Sequence, residues 1–255
     1  MAKSPEHPTS GAVFFDFEGT LNDTAQSGRL YAADLARWMG RRFPAHEADW
    51  GRAVLAGLAA MRQHQAAAAD QPLPPDGYDT YRQKELSAWL EAMVEVAGLR
   101  LPADLSQAEL LSALERAIVL QLAPTTGAVD AVRQLARSGM SLYISSGADS
   151  RYVERCLVDA GLRECFREVF GPDKLQTLKT SPEFFTRCFA AAEVEPAAAW
   201  VVDDSPDPLA WALDLGAQVV AVGLDDRDLA RLSDRSGFHA IRNLQGLTAV
   251  LSLVK

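Results

Sequence analysis

The first apolar run of the chain is short and ends at an acidic residue. Four consecutive apolar residues at positions 12–15 come before Asp16, and Gly19 and Thr20 follow as a turn signal. An uninterrupted apolar run of this length is typical of a strand that is covered on both faces of a parallel sheet. The pattern therefore predicts a buried strand over 12–16 with an acid at its carboxyl end.

The next segment, about a hundred residues from Thr24 to Ala123, has a different pattern. Apolar residues recur at the spacing of an amphipathic helix, and alanine, which favours helix, is abundant. The proline-rich stretch 71–77 divides the segment into two helical pairs. The spacing predicts an all-α domain with apolar stripes at its core. The stripes comprise Leu30, Leu35, Trp38 and Met39; Val54, Leu55, Leu58 and Met61; Leu86, Trp89, Leu90, Met93 and Val94; and Leu110, Leu111, Leu114 and Ile118.

After Pro124 the pattern alternates between short apolar strands and amphipathic helices. Such alternation indicates a parallel sheet with right-handed crossovers. We therefore predict an α/β fold with a Rossmann-like parallel sheet core, formed by 12–24 and 124–255, and an inserted all-α cap domain over 25–123. Residues 1–11 are expected to be a flexible tail. The predicted strands span 142–145, 199–203, 217–222 and 238–241, and the predicted helices span 128–137, 151–160, 182–192 and 209–215.

The composition narrows the classes of partner. The 255 residues include 34 acidic and 25 basic side chains, and the net charge of −9 disfavours binding to nucleic acid or to an anionic membrane. The three cysteines lack the spacing of a zinc site or a disulfide framework, and no apolar run is long enough for a membrane span. We expect a cytoplasmic protein with a small-molecule partner, and nothing in the sequence indicates its oligomeric state.

Polar residues that can do chemistry follow three of the predicted strands and precede one helix. Because ligands bind beyond the carboxyl ends of the strands in an open parallel sheet, these side chains are expected to meet at one edge. The group combines carboxylates, hydroxyls and one ammonium. Its members are Asp16 and Glu18 after the first strand, Ser145, Ser146 and Gly147 at the second, Lys179 before the helix at 182, and Asp203 and Asp204 at the third.

Four segments in this order resemble the four motifs of the haloacid dehalogenase superfamily of hydrolases. They read Asp-Phe-Glu-Gly-Thr-Leu from Asp16, Leu-Tyr-Ile-Ser up to Ser145, Lys-Thr-Ser-Pro from Lys179, and Val-Val-Asp-Asp-Ser up to Ser205. The resemblance covers 13–21 and about 124–250, and the helical insertion lies where this family carries its type 1 caps. It implies an aspartate nucleophile and, as in the phosphatase branches, a small phosphorylated metabolite as substrate and Mg²⁺ as cofactor.

The resemblance also implies a role for each residue. Asp16 would attack phosphorus and become an aspartyl-phosphate, and Glu18 would act as general acid and then general base. Ser145, with Ser146 as its nearest rival, and Gly147 would bind the phosphoryl group. Lys179, preferred over Lys174, would offset the negative charge. The predicted ligands of Mg²⁺ are Asp16, the backbone carbonyl of Glu18, Asp204, and Asp203 directly or through water.

Glu18 departs from the usual family pattern, which has aspartate at this position. The extra methylene moves the carboxyl group by about 1.5 Å, and a displacement near 1 Å can cost ~100-fold in rate. The enolase-phosphatase branch nevertheless has glutamate there. Three alternatives therefore stay open: a dehalogenase, which lacks the second acid and needs no metal; a phosphonatase, for which Lys84 would be the cap lysine; and a non-catalytic phospholigand-binding relative.

Overall fold

The structure is a computed structural model, and it describes residues 11–44, 48–68, 71, 73–117 and 122–253. The chain divides into two compact units. The α/β unit is formed by Met1–Asp23, Leu122–Leu175 and Lys179–Lys255, and the helical unit by Thr24–Gln121 and Gln176–Leu178. The tail expected at 1–11 lies outside the described residues except for Gly11, and so does Ile118 of the last predicted stripe.

Six strands form one parallel sheet in the α/β unit. Its centre is the strand of the first apolar run, and the two strands beside it are those that end at Ser145 and Asp203. This arrangement confirms the predicted α/β class, and it places the three carboxyl ends side by side. The strands are β1 (Ala12–Phe15), β2 (Ser141–Ser145), β3 (Glu168–Phe170), β4 (Ala199–Asp203), β5 (Gln218–Val222) and β6 (Phe238–Ile241), in the sheet order β3-β2-β1-β4-β5-β6.

The strand β1 is covered on both faces, as its apolar run predicts. All four of its side chains are buried. Phe14 stacks on Tyr143 with ring centroids 4.8 Å apart, and it meets Phe189 edge-on at 5.1 Å. Such aromatic pairs add about 0.5–1.5 kcal/mol each to the stabilisation from burial. Asp16 therefore follows a strand with a well-packed position in the core.

The helical unit contains four long helices over its described residues. They are α1 (Thr24–Arg42), α2 (Trp50–Ala68), α3 (Tyr78–Ala97) and α4 (Gln107–Ala117). Most members of the predicted stripes form its core, but Leu30 and Leu55 are exposed because they lie on the outer sides of α1 and α2. None of the described helices combines the length and the hydropathy that crossing a bilayer requires.

The remaining helices belong to the α/β unit. Sequence reasoning missed β3 and three short helices, since segments of three to seven residues are too short to show a hydrophobic period. All three cysteines are free thiols. The helices are α5 (Ala128–Arg137), α6 (Ser150–Asp159), α7 (Pro172–Leu175), α8 (Glu183–Ala192), α9 (Pro206–Asp214), α10 (Asp226–Ala230) and α11 (Leu247–Leu253), with 3-10 turns at Arg163–Cys165, Pro196–Ala198 and Leu244–Gly246.

Candidate active site

The ammonium group of Lys179 joins the carboxyl ends of three strands. Its Nζ lies 2.7 Å from Oδ1 of Asp16, 2.7 Å from Oδ2 of Asp203 and 2.9 Å from the backbone carbonyl oxygen of Ser145. A lysine ammonium has three donors, so these three contacts use its full capacity. By contrast, Lys174 forms ion pairs with Glu154 and Glu168 that are largely exposed. The structure therefore places Lys179, and not Lys174, at this edge of the sheet.

Three buried oxygen atoms in the segments that meet at this edge have no hydrogen-bond partner among the described residues. They are Oδ2 of Asp16, whose other oxygen is bound by Lys179, Oγ1 of Thr20 in the turn after β1, and Oγ of Ser145. A buried polar atom without a partner costs free energy, so such atoms are characteristic of sites that bind a ligand or do chemistry. Oδ2 is free to act as a nucleophile, and the hydroxyl of Ser145 is free to donate.

The two neighbours of Ser145 have different surroundings. Oγ of Ser146 accepts from the backbone N–H of Ala148 at 3.1 Å. The backbone N–H of Ser146 donates to the carbonyl of Phe170 at 3.0 Å. Ser146 therefore holds the loop after β2. A Cβ added at Gly147 would lie 3.6 Å from Cβ of Lys179, an ordinary contact, so this residue packs beside the lysine without steric need for glycine.

Three carboxylates form a cluster around the ends of β1 and β4. Asp16, Asp203 and Asp204 each offer an oxygen, and these oxygens lie within 4.8 Å of one another. Both carboxylate oxygens of Asp203 accept hydrogen bonds. Oδ2 accepts from Lys179, and Oδ1 accepts from the backbone N–H of Ser205 at 2.9 Å. Asp204 is partly exposed. A set of carboxylate oxygens this close together is the donor set that Mg²⁺ prefers, so the cluster fits this ion.

The turn after Asp16 leaves room for Asp204 only because residue 19 is glycine. Gly19 has a φ of +91°, and a Cβ at this position would lie 2.0 Å from Oδ2 of Asp204. Any side chain would therefore clash with the carboxylate, besides the strain of the left-handed backbone. Gly19 is a structural part of the carboxylate cluster.

Burial dominates the electrostatics of this cluster. It raises the pKa of Asp16 to about 8, against the lowering effect of Lys179 and with a further rise from Asp203. Burial and Asp203 likewise raise the pKa of Asp204 to about 6. Burial by itself would lower the pKa of Lys179, but the Asp16 and Asp203 carboxylates raise it above its ordinary value. One ammonium facing three carboxyl groups leaves negative charge that a divalent cation would offset.

The carboxylate of Glu18 is held by two residues that sequence reasoning missed. Its Oε1 accepts from the hydroxyl of Tyr152 at 2.8 Å, and its Oε2 accepts from Nδ2 of Asn22 at 3.0 Å. Burial, and then the Glu18 carboxylate, raise the pKa of Tyr152, so its hydroxyl stays a donor. Tyr152 lies in α6, which follows the Ser145 loop, and Asn22 lies four residues after Glu18. Only their closeness to predicted site segments could have drawn attention to them.

The family model of haloacid dehalogenase-like hydrolases matches residues 11–213. No curated protein matches the chain. Three solved structures illustrate the similarity of fold.

The L-2-haloacid dehalogenase from Xanthobacter autotrophicus, with chloropropionic acid covalently bound, is 17% identical, with 96% of this chain and 99% of that chain covered at a TM-score of 0.62. The HAD-hydrolase YfnB from Bacillus subtilis, bound to magnesium, is 17% identical. The alignment covers 95% of this chain and 99% of that chain, at a TM-score of 0.66. The defluorinating L-2-haloacid dehalogenase Rha0230 is 17% identical, with 95% of each chain covered at 0.67. At this identity the likeness shows the fold alone.

Proposed function

This chain belongs to the haloacid dehalogenase-like hydrolase family, and from that premise we propose that it is a Mg²⁺-dependent phosphatase of small phosphate monoesters. One observation carries the proposal, namely the cluster of Asp16, Asp203 and Asp204 around Lys179. A hydrolase that attacks an uncharged carbon centre needs no bound cation, whereas three clustered carboxylates are a donor set for one. A hydrolase that attacks a phosphate dianion needs a cation, and this cluster can hold one.

Asp16 performs the first step. Its Oδ2 attacks phosphorus, the bond between phosphorus and the ester oxygen breaks, and Glu18, in its protonated form, gives its proton to the departing ester oxygen. In the second step the Glu18 carboxylate takes a proton from a water molecule, whose oxygen attacks the phosphorus of the aspartyl-phosphate. The bond between phosphorus and Oδ2 breaks, inorganic phosphate leaves, and both the carboxylate of Asp16 and the protonated form of Glu18 are restored.

Lys179 and Ser145 assist without changing covalently. Lys179 keeps the Asp16 carboxylate oriented through Oδ1, which leaves Oδ2 directed to the substrate. The hydroxyl of Ser145 is free to donate to a phosphoryl oxygen. Donors placed in advance around a charged phosphoryl group stabilise the transition state at little cost of reorganisation.

The residues present fit a magnesium ion. Asp16 and Asp204 would hold it, with Asp203 acting directly or through water, and the backbone carbonyl of Glu18 stays a predicted ligand. When bound, the ion supplies the positive charge that lets an anionic nucleophile approach an anionic substrate. Asp203 supports the site in addition by fixing Lys179.

The dehalogenases among the similar structures favour a second candidate, the hydrolysis of a carbon–halogen bond. Oδ2 of Asp16 would then attack carbon, and halide would leave. This candidate uses Asp16 and Lys179, but it gives no role to the carboxyl groups of Glu18 and Asp204.

A paired assay separates the two candidates. We expect release of p-nitrophenol from p-nitrophenyl phosphate with magnesium, loss of that release with EDTA, and loss in Asp16→Asn. Halide release from L-2-chloropropionate is measured in parallel. Magnesium-independent chloride release without phosphatase activity would establish the second candidate. Neither halide release nor turnover of a broad ester panel would leave only a phospholigand-binding role.

A further inference from the structure

Each carboxylate oxygen of Glu18 is held by a donor from a different segment of the α/β unit. Tyr152 lies in the first turn of α6 and binds Oε1, whereas Asn22 follows the turn after β1 and binds Oε2. A carboxylate bound on both oxygens cannot rotate freely about its last torsion angle. The orientation of the Glu18 carboxyl group is thereby set by these two neighbours.

The two donors are themselves fixed. Asn22 is fully buried, and its Oδ1 accepts from the backbone N–H of Ala123 at 2.9 Å, so its amide group must turn Nδ2 toward Glu18. The backbone N–H of Asn22 donates to the carbonyl of Phe17 at 2.8 Å. The ring of Tyr152 meets the ring of Phe17 edge-on, with centroids 6.1 Å apart. The donors are in place before any substrate binds.

The geometry suits glutamate and not aspartate. An aspartate at position 18 would place its carboxyl group about 1.5 Å nearer the backbone. Contacts that now measure 2.8 Å and 3.0 Å would open beyond hydrogen-bond distance unless the backbone moved. Tyr152 and Asn22 therefore lie at the distance from the backbone that the longer side chain of Glu18 reaches.

We propose that Tyr152 and Asn22 are positioning residues that hold the Glu18 carboxylate, so that the acid/base position of this chain works with glutamate and not with the aspartate usual in its family. This inference rests on the proposed phosphatase function for its kinetic part. Its structural part, the coupling between Tyr152 and Glu18, can be measured without any activity.

The kinetic test compares three variants. We expect Tyr152→Phe to lower kcat about 10-fold with little change in KM, and Glu18→Asp to lower kcat by ~100-fold, because a displacement near 1 Å has that effect on a reacting group. Tyr143→Phe is the matched control, since it removes the hydroxyl of another buried tyrosine that packs on Phe14. Wild-type or higher kcat in Tyr152→Phe, or full activity in Glu18→Asp, would overturn the proposal.

A double-variant cycle separates positioning from general damage. In the Glu18→Ala background, Tyr152→Phe is expected to change the residual kcat by less than about 2-fold, because its partner is gone. A structural role alone would give the same loss in both backgrounds. The shifts in the urea unfolding midpoint caused by the two substitutions are expected to be non-additive in the double variant. Additive shifts would show that Tyr152 and Glu18 do not interact. If the wild-type protein hydrolyses no phosphate ester, the proposed function fails, and the unfolding cycle alone decides whether the contact holds.

Discussion

The Nζ of Lys179 lies 2.7 Å from Oδ1 of Asp16, and both side chains are almost completely buried. Lys179 makes a second contact of the same length with Asp203, so one ammonium serves two carboxylates. This arrangement leaves Oδ2 of Asp16 without a partner among the described residues, as the proposed role of nucleophile requires. Lys179 is therefore expected to matter for both stability and reaction.

Replacing Lys179 by methionine is expected to destabilise the fold and to abolish most activity. The change removes the ammonium that pairs with two buried carboxyl groups, and the loss of one partner from such a buried pair costs about 3–5 kcal/mol in the free energy of unfolding. Loss of a charge-stabilising donor lowers kcat by ~100-fold or more. Urea unfolding and phosphatase kinetics measure the two effects. Lys174→Met is the control, because its exposed ion pairs contribute at most about 1 kcal/mol. Equal effects of the two substitutions would contradict this role of Lys179.

The stability gained from magnesium is expected to increase with pH. Burial raises the pKa of Asp16 to about 8 and that of Asp204 to about 6, from ordinary values of 3.8. The folded chain therefore keeps these two protons to higher pH than the unfolded chain does. Without metal, the two carboxyl groups contribute fully to stability below about pH 4, and this contribution is lost as the pH rises to about 8. Magnesium must displace the same protons, so its binding strengthens over this range.

Thermal melting with saturating magnesium and with EDTA checks this dependence. The increase in Tm caused by magnesium is expected to be larger at about pH 8 than at about pH 6. Asp204→Asn is expected to remove most of the increase, whereas Asp207→Asn, at an exposed aspartate paired with Arg231, is expected to keep it. A magnesium effect that is independent of pH and survives in Asp204→Asn would show that the cluster does not hold the ion.

Ser145 and Ser146 are expected to respond in opposite ways to removal of the hydroxyl. Oγ of Ser145 has no partner among the described residues, so Ser145→Ala removes no contact that stabilises the fold, but it lowers kcat/KM by about 10-fold or more. Ser146→Ala removes the bond to the backbone of Ala148 and costs about 1 kcal/mol, with a smaller kinetic effect. Phosphatase kinetics and urea unfolding of both variants measure the contrast. The reverse pattern would assign the phosphate contact to Ser146.

The sequence pattern predicted the parts of the fold that depend on local periodicity. The helix at 128–137 and the strands at 199–203 and 238–241 have the bounds that the apolar pattern indicates. The meeting of acids at one edge follows from parallel strands, whose carboxyl ends lie together. The contact of Tyr152 with Glu18 joins residues 134 positions apart, and no local pattern encodes it. The exposure of Leu55 depends on which side of α2 meets its neighbours, and apolar spacing alone does not determine this.

Replacing Gly19 by alanine is expected to disrupt the carboxylate cluster specifically. The new Cβ would lie 2.0 Å from Oδ2 of Asp204, so this side chain must leave its position, and both the magnesium effect on Tm and the phosphatase activity should be lost. Gly216→Ala is a matched control, because Gly216 has a φ of +94° but a Cβ there would meet nothing within 4 Å. Both variants pay about 1–2 kcal/mol for the left-handed backbone, measured by urea unfolding. Only Gly19→Ala should lose the response to magnesium, and an unchanged response in that variant would mean that Asp204 is not a ligand.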